Sequence, residues 1–147
     1  MILYFILLPA VIFDICTFRI PNKLAIIGWI SGFIYQLLRL GEYPAFYYLF
    51  SAVAIFFILI PFFKIRAIGG GDVKLLSVCA MFTGVESCLY ISIYALFFAG
   101  IYSLFYLVYH RIFSLNKKKT NIIHFSIPVF FGVIANQLWG GFLWQIF

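Results

Sequence analysis

The sequence predicts an all-α polytopic membrane protein, a bundle of about six transmembrane helices forming a single domain over residues 1–147. Three observations carry this expectation. Hydrophobic residues make up 66% of the chain and charged residues only 10%, whereas a soluble domain holds about 25% charged residues. Too little polar surface is present to cover a water-soluble globule. The apolar residues also fall into long stretches separated by short connections, and the cations gather on alternate connections.

The first apolar stretch runs from Ile2 to about Phe18 and stops at Ile20-Pro21-Asn22, because proline disfavours helix in the residue before it. It lacks the cationic start and small-residue cleavage site of a signal peptide and reads as a retained first helix. The second, from about Leu24 to Leu38, carries Gly28 and Gly32, a spacing that lets two helix backbones approach closely. The third, from about Tyr43 to Phe63, is long enough to span a bilayer unaided. A short connection from Lys64 to Gly71 follows. The fourth stretch, from about Asp72 to Phe82, is too short to cross a full hydrocarbon core. It must extend past Gly84 or lie in a thinned, protein-lined region. The fifth, from about Ser87 to Tyr109, is a clear span. A polar loop from His110 to Asn121 precedes the last stretch, which begins near Ile122, reaches toward Phe147 and contains Pro128.

With six spans, the first, third and fifth connections share one side. They hold Arg19, Lys23, Lys64, Arg66, Arg111, Lys117, Lys118 and Lys119, and Lys74 lies just inside the fourth helix on that side. Arg39 alone faces the other side, with Glu42 and Glu86. This asymmetry predicts a multi-pass protein of the cytoplasmic membrane with those loops in the cytoplasm and both termini outside. The net charge of +6 then reads as a topology signal and an attraction to anionic membrane lipid, not as nucleic-acid binding.

Other chemistries find little support. Cys16, Cys79 and Cys88 lie in apolar surroundings without a Cys-x-x-Cys pair and read as buried free thiols. His110 and His124 lack ligand spacing, so no metal site is predicted. No phosphate loop or dinucleotide turn is present, and no serine has a His-plus-acid arrangement for a nucleophilic triad.

The two aspartates, Asp14 and Asp72, are what remains. An ionisable group inside a transmembrane segment is costly, so its default reading is functional. Asp14 lies six residues before Ile20, about 9 Å inside the cytoplasmic helix end. Asp72 stands at the cytoplasmic start of the fourth helix. The two reach similar shallow depth from one face, which a shared paired-carboxylate site requires. Plainer readings compete: Asp72 as a helix N-cap after a glycine-rich turn, and Asp14 in a structural ion pair with Lys74 or Arg19.

Asp14-Ile15-Cys16-Thr17-Phe18-Arg19-Ile20-Pro21-Asn22 resembles the first motif of type IV prepilin peptidases, an aspartate followed by a cationic stretch and Ile-Pro-Asn. Gly69-Gly70-Gly71-Asp72-Val73-Lys74-Leu75 resembles their second, the Gly-x-Gly-Asp motif with its following lysine. Ile127-Pro128 is a weaker match to a proline-containing segment of their last helices. The resemblance implies an intramembrane aspartic endopeptidase that cuts the leader from prepilin-like proteins at the cytoplasmic face. Asp14 and Asp72 match its catalytic aspartates; Gly69, Gly71, Lys74, Pro21 and Asn22 match supporting or substrate-binding positions. Larger members carry a cysteine-rich insertion between the first two spans and also N-methylate the new amino terminus. This chain lacks that insertion and is similar to the minimal members, such as tight-adherence pilus or archaeal preflagellin peptidases.

The chemistry is consistent with that resemblance. Two carboxylates a few Å apart cannot easily both ionise, so one keeps a proton. The ionised member activates a water and the protonated member hydrogen-bonds the scissile carbonyl, with no metal or cofactor. The glycines before Asp72 are expected to let the backbone turn tightly and approach an extended substrate. Lys74 points to a different helix face and is expected to snorkel. The rival reading is a small proton-linked carrier, or a membrane scaffold subunit, with Asp14 as an intramembrane proton site. Carriers tend to show inverted repeats and broken helices at the midplane; no repeat is visible, and both aspartates sit near one face.

Overall fold

A computed structural model gives the structure of the chain and describes residues 2–17, 20–39, 43–65, 68–112 and 125–143. Among them every regular element is a helix: α1 (Ile2–Thr17), α2 (Asn22–Leu38), α3 (Ala45–Lys64), α4 (Gly70–Ile112) and α5 (Ser126–Leu143). Pro21 separates α1 from α2 and accepts the Leu24 N–H at 3.1 Å, opening the new helix. Pro128 falls in the first turn of α5, where no intrahelical N–H is needed.

The sequence predicts two helices where α4 is a single run of 43 residues. A straight helix of that length would measure about 64 Å, twice a bilayer core of about 30 Å. It is not straight. Gly84 has φ 82° and ψ 171°, a region essentially open only to glycine. Cys88 Sγ then donates to the Leu76 carbonyl at 3.3 Å, 12 residues back, where a continuous helix would separate them by about 18 Å. The chain reverses at Gly84, and arms 70–83 and 85–112 lie against each other. The break frees carbonyls at the end of the first arm. Gln36 of α2 is buried there and donates Nε2–H to Phe82 O at 2.8 Å and to Met81 O at 3.5 Å.

The first arm is the core of the bundle. Val73, Leu75, Leu76, Val78, Cys79, Ala80, Met81 and Phe82 are all buried, as expected of a helix that is apolar all round. The short fourth stretch is therefore protein-lined and stops at Gly84. The two α2 glycines pack against it: a Cβ at Gly28 would come 2.8 Å from Val78, and one at Gly32 2.7 Å from Met81. On another side α3 runs antiparallel, with Phe63 against Gly70 and Tyr47 against Gly84. The second arm meets α5 at Gly132, where a Cβ would lie 2.8 Å from the Ile91 carbonyl.

Outward surfaces are apolar. Ile30, Phe50, Phe57, Leu96 and Phe105 are all more than half exposed, an exterior that suits lipid and not water. Two helical runs, Ala45–Lys64 and Gly70–Tyr109, are long and apolar enough to cross a membrane, and Leu3–Thr17 and Ser126–Leu138 are shorter apolar helices. Cys79 and Cys88 are buried thiols, but Cys16 is exposed, because it shares the outward side of α1 with Ile12 and Ile15. Arg19, Glu42, Arg66, Lys117, Lys118, Lys119, Ile122 and His124 lie outside the described residues.

Candidate active site

The glycine-rich connection places Asp72. Gly69 O accepts the N–H groups of Asp72 at 3.1 Å and Val73 at 3.3 Å. Gly69 thus occupies the cap and Asp72 the third helical position, which corrects the reading of Asp72 as the N-cap. Its carboxylate folds back, and Oδ2 accepts the Gly69 N–H at 3.2 Å, the return half of a capping box. A Cβ on Gly69 would lie 2.9 Å from that oxygen.

None of the three motif glycines has positive φ; among the described residues that distinction belongs to Gly84. The turn before Asp72 is therefore made without left-handed backbone. What they supply is space: Gly69 for the Asp72 carboxylate, Gly70 for Phe63, and Gly71 for Ile20.

Ile20 joins the two motifs. It is 5% exposed and lies in a seam with Ile6, Ala10, Leu24, Leu75 and Val78. Its side chain meets Gly71 directly, and Pro21 turns the chain away into α2. This contact fixes the end of α1 against the start of α4. Asp14 is consequently near enough to Asp72 for its charge to act on it. Both carboxylates are half-buried. Phe18 and Arg19 lie outside the described residues.

A third polar group was not foreseen. Ser126, the first residue of α5, is fully buried, and its Oγ–H donates to Asp14 Oδ2 at 2.6 Å. Nothing local marks a serine 112 residues away from its partner; the nearest signal was the neighbouring Ile127-Pro128.

Lys74 and Asn22 come together elsewhere. Two helical positions turn the chain by about 200°, so Lys74 faces away from the Asp72 side. It lines a groove of about 460 Å³ with Asn22, Ala25, Trp29, Phe56 and Ser77. Trp29 Nε1–H donates to Ser77 Oγ at 3.1 Å at its wall. Pro21 acts as the cap of α2. The predicted residues therefore fall on two sides of the helix start, Asp72 with Gly69 and Gly71, and Lys74 with Asn22, although Lys74 also borders the Ile20 seam. Among the described residues, no three His, Cys, Asp or Glu side chains gather as a metal site.

The site thus holds two acidic groups at a helix junction, one accepting a backbone N–H and one accepting a hydroxyl, and carboxyl groups of this kind can take or give a proton. A family model described as the type IV leader peptidase family matches residues 1–104, a span that includes both aspartates. No curated protein and no solved structure matches the chain.

Proposed function

The chain belongs to the type IV leader peptidase family, and from that premise we propose that it is an intramembrane aspartic endopeptidase removing the leader of prepilin-like substrates at the cytoplasmic membrane face. Asp14 and Asp72 are its catalytic pair. The observation that carries the reading is the approach of their two helices through the Ile20–Gly71 contact, although the aspartates are 58 positions apart in sequence.

One carboxylate takes a proton from water as the oxygen attacks the scissile carbonyl carbon. The other carboxylic acid donates to the carbonyl oxygen. The tetrahedral adduct then collapses, the C–N bond breaks, and the amine of the mature chain leaves with a proton from the pair. No cofactor enters.

In this reading the bundle crosses the membrane six times, through α1, α2, α3, both arms of α4, and α5. The cation asymmetry supports cytoplasmic placement of the Asp72 end and outside termini. Membrane lipid surrounds the apolar exterior.

The test is reconstitution of the purified chain in vesicles with a prepilin-like precursor carrying its leader and first apolar helix. A gel shift, with mass spectrometry of the released leader, supports the reading. An intact precursor accompanied by proton flux through the vesicles contradicts it and favours the carrier.

A further inference from the structure

We propose that Ser126 is a positioning residue for Asp14, its hydroxyl holding the carboxylate in the orientation that the paired-aspartate reaction uses. The proposal rests on the aspartic reading above and brings α5 into the active site.

Serine and threonine hydroxyls within these helices usually bond their own backbone four residues earlier. Ser51 donates to Tyr47 O at 2.8 Å, Thr83 to Cys79 O at 2.9 Å and Ser92 to Cys88 O at 2.8 Å. Ser126 is the first residue of its helix. Its hydroxyl reaches across to another helix instead, from a fully buried position.

The register that aligns this bond is held at the far end of the same helix pair. Tyr4 of α1 donates its hydroxyl to Gln137 Oε1 of α5, and the Tyr4 and Phe130 rings meet edge to face at 6.0 Å. Ten positions on α1, from Tyr4 to Asp14, rise about 15 Å, and eleven on α5, from Ser126 to Gln137, about 16.5 Å. Two antiparallel helices are thus joined at both ends with matching spacing. A one-turn slip would break both joints. Gly132 against the Ile91 carbonyl and Ala95 backbone seats α5 tightly on the second arm of α4 as well. The charge of Asp14 in turn acts on Asp72 of α4. Ser126 lies beyond the 104 residues that the family model matches, so its assignment comes from geometry.

The chain has only two aspartates, so carboxyl-¹³C aspartate labelling marks two groups and Asp72→Asn leaves Asp14 alone. Infrared spectra at fixed pH in that background read the Asp14 carboxyl without requiring activity. Ser126→Ala should shift the band, and Ser126→Thr should restore it. In the otherwise native chain, Ser126→Ala should lower kcat for precursor cleavage about ten- to hundredfold, the effect of losing a hydrogen bond to a charged group. KM and membrane accumulation should stay unchanged, and Ser126→Thr should recover most of the rate. An unmoved band overturns the proposal, as does a moved band with normal kcat. A fall in kcat that follows loss of protein, without rescue by threonine, also overturns it by making Ser126 merely structural. Wild-type cleavage by Asp14→Asn or Asp72→Asn would instead sink the aspartic reading itself, an outcome separable from the infrared result.

Discussion

The side chain of Ile20 packs closely over Gly71, so that a Cβ there would come 3.3 Å from Ile20 Cγ1. Through this contact, two segments 51 residues apart pack against each other and bring the helices that carry the two aspartates together. Gly71→Val should force Ile20 aside, an overpacking cost of about 1–3 kcal/mol, and separate Asp14 from Asp72. Processing of a co-expressed precursor should fall at least about tenfold. Adding Ile20→Ala should recover part of the loss, because it vacates the contested space. Equal defects in the single and double variants would argue against a coupling between the motifs.

Gly69→Ala tests the other half of the arrangement. The new methyl would stand 2.9 Å from Asp72 Oδ2, so the carboxylate must swing away from the Gly69 N–H. The side chain is short, and the swing displaces a reacting group more than it strains the fold. Cleavage should drop about tenfold or more while the amount of protein in the membrane holds. Normal kcat in this variant would show that Asp72 works from a different orientation.

The hairpin in α4 has its own signature. Gln36→Leu leaves Phe82 O and Met81 O without their donor, which should cost about 1–3 kcal/mol of stability. Gly84→Ala, at φ 82° and ψ 171°, should cost a similar 1–3 kcal/mol or more from backbone strain. Thermal unfolding in detergent reads both. Unchanged transitions would mean that the reversal does not depend on these groups.

Much of this was legible in the sequence. Uninterrupted apolar stretches ending at Pro21 and the Gly69–Gly71 run gave the helix boundaries, and the Gly28–Gly32 spacing anticipated the close contact that α2 makes with Val78 and Met81. The sequence separated the fourth stretch from the fifth near Gly84 but left open whether the fourth extends past that glycine. What could not be read depended on a distant partner. The motif glycines leave room for Phe63, Ile20 and the Asp72 carboxylate, and room is a property of the neighbour. Ser126 and Gln36 carry no local sign of the carboxylate and carbonyls they meet. Cys16 is outward because α1 turns its Ile12–Ile15 side away from the core, a rotation that an almost wholly apolar helix does not declare.

Orientation is tested by labelling. In a background free of Cys16, Cys79 and Cys88, single cysteines introduced as Ser114→Cys and Tyr43→Cys should react from opposite sides of the membrane, because their connections fall on opposite sides of the cation asymmetry. An impermeant reagent added to intact cells should reach the Tyr43→Cys variant only. Labelling of Ser114→Cys from outside would invert the topology and move the proposed cleavage to the wrong face.

The central claim is that Asp14 and Asp72 act as one catalytic pair. The direct measurement is precursor cleavage by Asp14→Asn and by Asp72→Asn, each near-isosteric and each checked for accumulation in the membrane. Each variant should accumulate normally and leave the precursor uncut, with a loss of at least about 10³-fold, since a paired-carboxylate mechanism fails as a unit. Full processing by either variant would contradict the account.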